Sequence, residues 1–150
     1  MSMPPSCPPV RHNSVQHLFE ATGGDKLPTQ EKLFTLVVSL SPSNSKILFG
    51  KKLRGFGVGL YNGFGGKPDG PDEAMDECAC REMFEESKIS VPRDLMMPAG
   101  VLTFTGLSPY TMIIHLFRVN LDALSICRPE RTEEMVPEFF DISAIPYDEM

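Results

Sequence analysis

Two apolar runs open the folded part of the chain. Residues 33–40, LFTLVVSL, are rich enough in Val and Leu to predict a strand buried on both faces. Residues 41–45, SPSNS, predict a turn, and residues 46–52 return as a second strand carrying Ile47, Leu48 and Phe49. Alternate glycines in residues 54–64, RGFGVGLYNGF, exclude a helix and predict backbone pressed against another group. The period then changes. Within residues 73–88, Met75, Ala79 and Met83 recur at i, i+4 and i+8, the buried stripe of an amphipathic helix. Strand patterning resumes after Pro92, at residues 101–105 and more strongly at 110–119, where Met112, Ile113, Ile114, Leu116 and Phe117 cluster. Residues 121–131 predict a mobile loop, 136–141 a last strand, and Ile145-Pro146 a closing helical turn. Residues 1–30 predict a flexible extension, because Pro4, Pro5, Pro8 and Pro9 exclude regular structure. Val15, Leu18 and Phe19 could supply one or two helical turns there, but the stretch has one arginine and no apolar h-region to support a targeting peptide.

Composition narrows the function classes. A chain of 150 residues, 41% hydrophobic and 23% charged, fits one globular domain, set at residues 31–150. No apolar run reaches the length of a membrane span, and a cytoplasmic protein is expected. The net charge of -6 argues against a groove for a nucleic-acid polymer, and an anionic substrate would have to arrive with a metal. Cys7, Cys78, Cys80 and Cys127 lack zinc-site spacing and read as inert thiols of a reducing compartment. His115 lies inside a strand with no His or Cys in sequence reach, and reads as a sheet histidine and not a ligand.

The helix carries the candidate chemistry. At about 100° per residue, Glu82, Glu85 and Glu86 fall within an arc of about 100°. Like charges so spaced repel, which makes sense if a cation sits among them, and oxygen-only ligands favour Mg²⁺ or Mn²⁺. A solvated acidic face is the competing reading on spacing alone. Arg81, four residues before Glu85, can pair with an acid and hold it in position.

Residues 65–89, GGKPDGPDEAMDECACREMFEESKI, resemble the signature of the Nudix hydrolases, in which a Gly is followed by a Glu, then by Arg-Glu-apolar-x-Glu-Glu-x-Gly-apolar. Gly66, Glu73 and Arg81-Glu82-Met83-Phe84-Glu85-Glu86 occupy those positions. Two departures stand out: the Gly66–Glu73 loop is one residue longer, and Lys88 replaces the Gly that would cap the helix in the left-handed region. Further stretches resemble the branch that hydrolyses oxidised purine nucleoside triphosphates, among them KKLRGFG at 51–57, YNGFGGK at 61–67, IHLF at 114–117 and EEMVP at 133–137.

The resemblance implies an α/β Nudix fold, a mixed sheet sandwiched between helices. It also implies Mg²⁺-dependent hydrolysis of a substrate such as 8-oxo-dGTP to the monophosphate and pyrophosphate. The metal would be held by Glu82, Glu85, Glu86, the Gly66 carbonyl and Glu134, with Mn²⁺ as an alternative ion. Glu85 or Glu86 would be the general base, and Arg81 would complete the catalytic set. Base recognition would fall to Asn62, with Thr35, Phe56, Phe104 and Met112 lining the slot. The branch's tryptophan, base-reading aspartates, last strand and long helix have no counterpart before Met150, so an uncovered sheet face and self-association are expected. Hydrolysis of another nucleoside diphosphate derivative, and a shortened non-catalytic binding module, are the alternative functions.

Overall fold

The computed structural model describes residues 30–105 and 110–150. The expected extension therefore lies outside the described residues, save Gln30. The elements are β1 (Gln30–Ser41), β2 (Lys46–Lys52), β3 (Tyr61–Asn62), α1 (Met75–Ser87), β4 (Met97–Phe104), β5 (Tyr110–Asn120) and β6 (Met135–Asp141), with short 3₁₀ turns between several of them. They form a mixed six-stranded sheet in the order β3-β2-β1-β5-β4, with β6 on β2.

β1 runs parallel to β5 along its length, from Gln30–Tyr110 to Leu40–Asn120. Its pairing with β2 is brief, from Ser39–Leu48 to Ser41–Lys46 beside the turn. Beyond that the two strands part, and the chain at residues 61–66 enters the gap. Asn62 pairs with Gly50 on β2. On the β1 side, Val37 N donates to Phe64 O at 2.7 Å, and Thr35 N donates to Gly66 O at 2.8 Å. Of the alternate glycines only Gly63 meets the expected close approach, since a Cβ on it would lie 2.6 Å from Val37 O. Gly55, Gly57 and Gly59 are instead in the left-handed region, at φ 75°, 76° and 85°, with open space or an ordinary contact beside them.

Alternation along β1 sends Thr35, Val37, Ser39 and Ser41 toward α1, where all four are buried. Val37, Leu48, Phe64, Ala79 and Met83 form the centre of the helix-side core. Burying each larger side chain there contributes about 1.5–3 kcal/mol. A smaller cluster of Ile47, Phe49 and Tyr61, packed by Phe140 and Ile145, occupies the other face near β2.

Several sequence expectations need adjustment. Among the described residues there is one α-helix, and it covers one face of the sheet. All eight residues of β4 are exposed. Val101, Leu102 and Phe104 are among its exposed large apolar side chains, Leu102 and Phe104 on one face and Val101 on the other. The two-residue β3 falls in a segment whose glycines hid any strand pattern. The loop at 121–131, expected to be mobile, is anchored: Leu121 is buried, Leu124 and Cys127 pack on the helix-side core, and Glu130 N donates to Ser87 O at 2.9 Å. His115 is a rung of the sheet between Thr35 and Val101. No helix among the described residues is long and apolar enough to cross a membrane.

The end of α1 behaves as the signature comparison predicts. Lys88 takes the left-handed cap conformation, φ 62° and ψ 10°, with its N–H on Phe84 O at 2.9 Å. A lysine Cβ there costs on the order of 1 kcal/mol relative to glycine. Lys88→Gly is therefore expected to raise the unfolding free energy by about 0.5–1 kcal/mol in urea titration. An unchanged or lowered stability would contradict the cap assignment.

Candidate active site

The site is built where the inserted loop meets α1. Gly65 has φ 153°, and a Cβ on it would lie 2.1 Å from Thr35 O, so only glycine lets the loop lie flat on β1. Gly65 N donates to Glu86 Oε2 at 2.9 Å. A Cβ on Gly66 would lie 2.4–2.7 Å from the Glu82 carboxylate. The missing side chain is thus the space in which Glu82 rests.

Glu86 is only 3% exposed. Burial pushes its carboxyl up to about 7, opposed by the Gly65 N–H and reinforced by the Glu82 charge. Glu82 is raised too, by burial first, with Arg81 opposing and Glu85 and Glu134 adding repulsion. The acids of the helix and Glu134 therefore feel one another, as a cluster awaiting a cation would.

Glu134 reaches this region because its loop is fastened to the end of α1. Thr132 Oγ1 donates to Glu86 O at 3.4 Å and accepts from Glu134 N at 3.1 Å. Leu53 N donates to Glu134 O at 2.8 Å, and Arg54 pairs with the Glu134 carboxylate.

Arg81 organises the rest. Its guanidinium grips Glu73 in a two-pronged pair at 2.8 and 3.0 Å and donates to Lys67 O at 2.9 Å. The same group reaches Glu82 and Glu85, both at 3.1 Å. The pairing with Glu85 is the i,i+4 contact read from the sequence. The Arg81 partnership holds the Glu73 carboxyl down to about 2. Glu73 was not singled out as a site residue by sequence, although its signature spacing to Arg81 was the available signal. It fastens the glycine loop to the helix, and Arg81 serves as the hub of that fastening.

These pairings also explain why no group of three or more His, Cys, Asp or Glu among the described residues forms a ready metal cage. Arg81 and Arg54 draw Glu85 and Glu134 to themselves, while Gly65 N–H holds Glu86. The donor set nevertheless fits a hard divalent cation. Every side-chain donor is a carboxylate oxygen, two are substantially buried, and the Glu82 carboxylate fills the space that a Gly66 side chain would take.

The expected base slot is only partly assembled. Met112 pairs with Lys32 on β1 and with Phe104 on β4. Since Phe117 and Val119 belong to the helix-side core, alternation along β5 puts Met112 and Phe104 on the opposite face. Phe34 shares that face by register with Ile114 and Leu102, and the period-2 pattern of β1 could have picked it out. Asn62 is exposed, with its Oδ1 accepting from Gly63 N at 2.9 Å, which leaves its amide group facing solvent. Phe56 is 99% exposed and stands clear of the sheet. Thr35 is the exception: its side chain points toward α1, with Oγ1 3.6 Å from Cys78 Sγ, and not toward the face of Met112 and Phe104.

Burial raises the thiols of Cys78, Cys80 and Cys127, in line with the inert reading. Cys7 lies outside the described residues.

The Glu86 shift has a stability consequence without metal. Its folded pKa is raised above the unfolded value, so its contribution is most favourable below about 4.5 and is lost as pH rises through about 7. The loss above pH 7 is on the order of 3 kcal/mol. Glu73 acts oppositely, stabilising above about 4.5 and losing that contribution as pH falls through about 2. In chelator-treated protein, Glu86→Gln should be more stable than the unsubstituted chain at pH 8 by about 2–3 kcal/mol, with the gap closing near pH 5. Denaturant titrations at the two pH values check this, and a gap independent of pH would contradict it.

No protein-family model matches the chain. Curated relatives do. The chain is 37% identical over 121 residues to the oxidized purine nucleoside triphosphate hydrolase of Danio rerio, covering 79% of this chain and 72% of that protein. It is 38% identical over 120 residues to the protein of the same name from Mus musculus, with the same coverage of both chains. Among solved structures, a MutT NUDIX hydrolase from Burkholderia pseudomallei superposes with a TM-score of 0.65 at 18% identity, covering 78% of this chain and 88% of that one. The fold, the loop packed against the acidic helix, and this degree of identity over most of both chains place the protein in the MutT/Nudix hydrolase family.

Proposed function

We propose that this chain hydrolyses oxidised purine nucleoside triphosphates, with 8-oxo-dGTP as the representative substrate, to the monophosphate and pyrophosphate in the presence of Mg²⁺ or Mn²⁺. The observation that carries the reading is the seating of Glu82 against Gly66, with Glu86 bonded to the neighbouring Gly65 amide. The identity to the zebrafish and mouse hydrolases supports the choice of substrate.

Glu82, Glu85, Glu86, Glu134 and the Gly66 carbonyl are the groups that would hold the ion. When bound, the metal neutralises phosphate oxygens and lowers the pKa of water. Binding would draw Glu85 or Glu134 from its arginine partner to the cation, a swap between two charge-neutralising contacts. Glu86 is the better placed general base. Its carboxylate is buried, and the Gly65 N–H fixes its orientation. Glu85, more exposed and bound to Arg81, is the alternative base.

For the base, Asn62 offers donor and acceptor groups to a purine edge. Phe104 and Met112 supply an apolar wall on the face away from α1, and Phe56 projects from the neighbouring glycine loop. Thr35 is assigned elsewhere because its hydroxyl faces the helix.

The test is pyrophosphate release from 8-oxo-dGTP with and without Mg²⁺, with ADP-ribose as a comparison substrate. Release that requires the metal and favours 8-oxo-dGTP is expected, and Glu86→Gln should lower kcat by roughly 10²- to 10⁴-fold. No release in either condition would leave a nucleotide-binding module, preference for ADP-ribose would reassign the substrate, and full activity in Glu86→Gln would overturn the catalytic assignment.

A further inference from the structure

Two arginines hold the acids of the site, and they differ in what else holds them. Arg81 is 23% exposed and is bonded to Glu73, Lys67 O, Glu82 and Glu85. Such a side chain is fixed. Arg54 is 62% exposed, and among the described residues the Glu134 carboxylate is the one partner its guanidinium bonds. A guanidinium carries its N–H donors in a planar fork, so most of those on Arg54 are open to a second anion.

The backbone keeps Arg54 at the site whether or not that ion pair persists. Leu53 N donates to Glu134 O at 2.8 Å. The base of the loop is closed by Lys52 N on Leu60 O at 2.9 Å and by Gly59 N on Lys52 O at 2.8 Å. Between these ties, a Cβ on Gly55 or Gly57 would meet nothing closer than 3.8 Å. Arg54 therefore stands on a loop with fixed ends and open space beside it.

Glu134 in turn feels the helix acids. Its charge adds to the repulsion on both Glu82 and Glu86, which puts the three carboxylates in one field. Arg54 supplies positive charge to that field from the rim. A divalent ion moving onto Glu134 meets the guanidinium there, and the two cations repel strongly at short range. An ion on the Glu134 carboxylate and a guanidinium displaced from it share one neighbourhood. A polyphosphate drawn to the first comes within reach of the second.

We propose that Arg54 is a substrate-binding residue that passes from Glu134 to the polyphosphate of the nucleotide when the divalent ion enters. It rests on the proposed function, since Glu134 is there a ligand of that ion. Arg54 opposes the bare ion, then offers its free donors to phosphate oxygens in the forked geometry that guanidinium favours. The site is thereby biased toward a cation that arrives together with its nucleotide.

Arg54→Gln removes the charge from an exposed position, and Arg54→Lys keeps the charge without the fork. Mn²⁺ binding to the full chain without nucleotide is followed by calorimetry and by the free-ion electron paramagnetic resonance signal. Arg54→Gln is expected to lower the Mn²⁺ Kd roughly three- to tenfold. At saturating Mn²⁺ the same variant should raise KM for 8-oxo-dGTP roughly fivefold or more, a larger change than in kcat. Inorganic tripolyphosphate, which has the phosphates and no base, should inhibit the variant correspondingly more weakly. Arg54→Lys should keep the Mn²⁺ Kd within about twofold of the unsubstituted chain, because charge sets it.

A higher Mn²⁺ Kd in Arg54→Gln would make the residue a support for Glu134 and overturn the proposal. A lower Kd with KM and tripolyphosphate inhibition unchanged would leave a repelling charge and no transfer to phosphate, which also overturns it. If the unsubstituted chain binds Mn²⁺ and releases pyrophosphate while Arg54→Gln matches it in every readout, this assignment alone fails. If the unsubstituted chain does neither, the proposed function fails and takes this assignment with it.

Discussion

The active region depends on a backbone contact that tolerates no side chain. Gly65 lies flush on the Thr35 carbonyl, and Gly66 leaves open the volume that the Glu82 carboxylate fills. A methyl at Gly65 would collide with rigid backbone, whereas one at Gly66 would displace the end of a flexible glutamate. The first glycine therefore holds the architecture and the second holds the chemistry. The parting of β1 from β2 makes this possible, because it opens a channel through which the loop reaches the helix.

Charge balance is the second constraint. A helix carrying three neighbouring carboxylates, with a fourth brought in by the 130–135 segment, is strained by repulsion and burial in the absence of a cation. Arg81 and Arg54 relieve much of that strain from the rim. They are placed so that the relief is exchangeable: each arginine has or shares partners at the surface, and each acid it releases belongs to the proposed cation site. Glu73 differs, since its two-pronged contact with Arg81 anchors the loop whichever acids Arg81 also touches. The closure of α1 by Thr132 and Glu130 joins the helix end to the segment bearing Glu134, so the distant acid is positioned by capping contacts.

Much of this was legible in the chain itself. The i, i+4, i+8 stripe of Met75, Ala79 and Met83 located the helix and its buried side, and the long apolar runs located β1 and β5. The need for a left-handed cap at Lys88 followed from where a glycine was missing. Other features escaped a linear reading for physical reasons. β3 has two residues and is set by tertiary pairing, so no periodicity announces it. The loop at 121–131 owes its order to packing against α1, which its own composition does not encode. Thr35 was placed in the slot by the family resemblance alone, and alternation along β1 turns it under the helix and turns Phe34 the other way. The spacing put the three helix acids on one face, but their arginine partners depend on rotamers that no spacing rule supplies.

In the proposed function the Gly66 peptide and the α1 carboxylates form one divalent-cation site. Anomalous diffraction from crystals of the full chain soaked in Mn²⁺ tests it most directly. The account predicts a single strong peak, or a close pair, within ligand distance of Glu82, Glu86 and the Gly66 carbonyl, about 2.0–2.4 Å from their oxygens, with Glu85 or Glu134 swung off its arginine. A peak elsewhere, or no peak at millimolar Mn²⁺ with both arginine pairs intact, would contradict it.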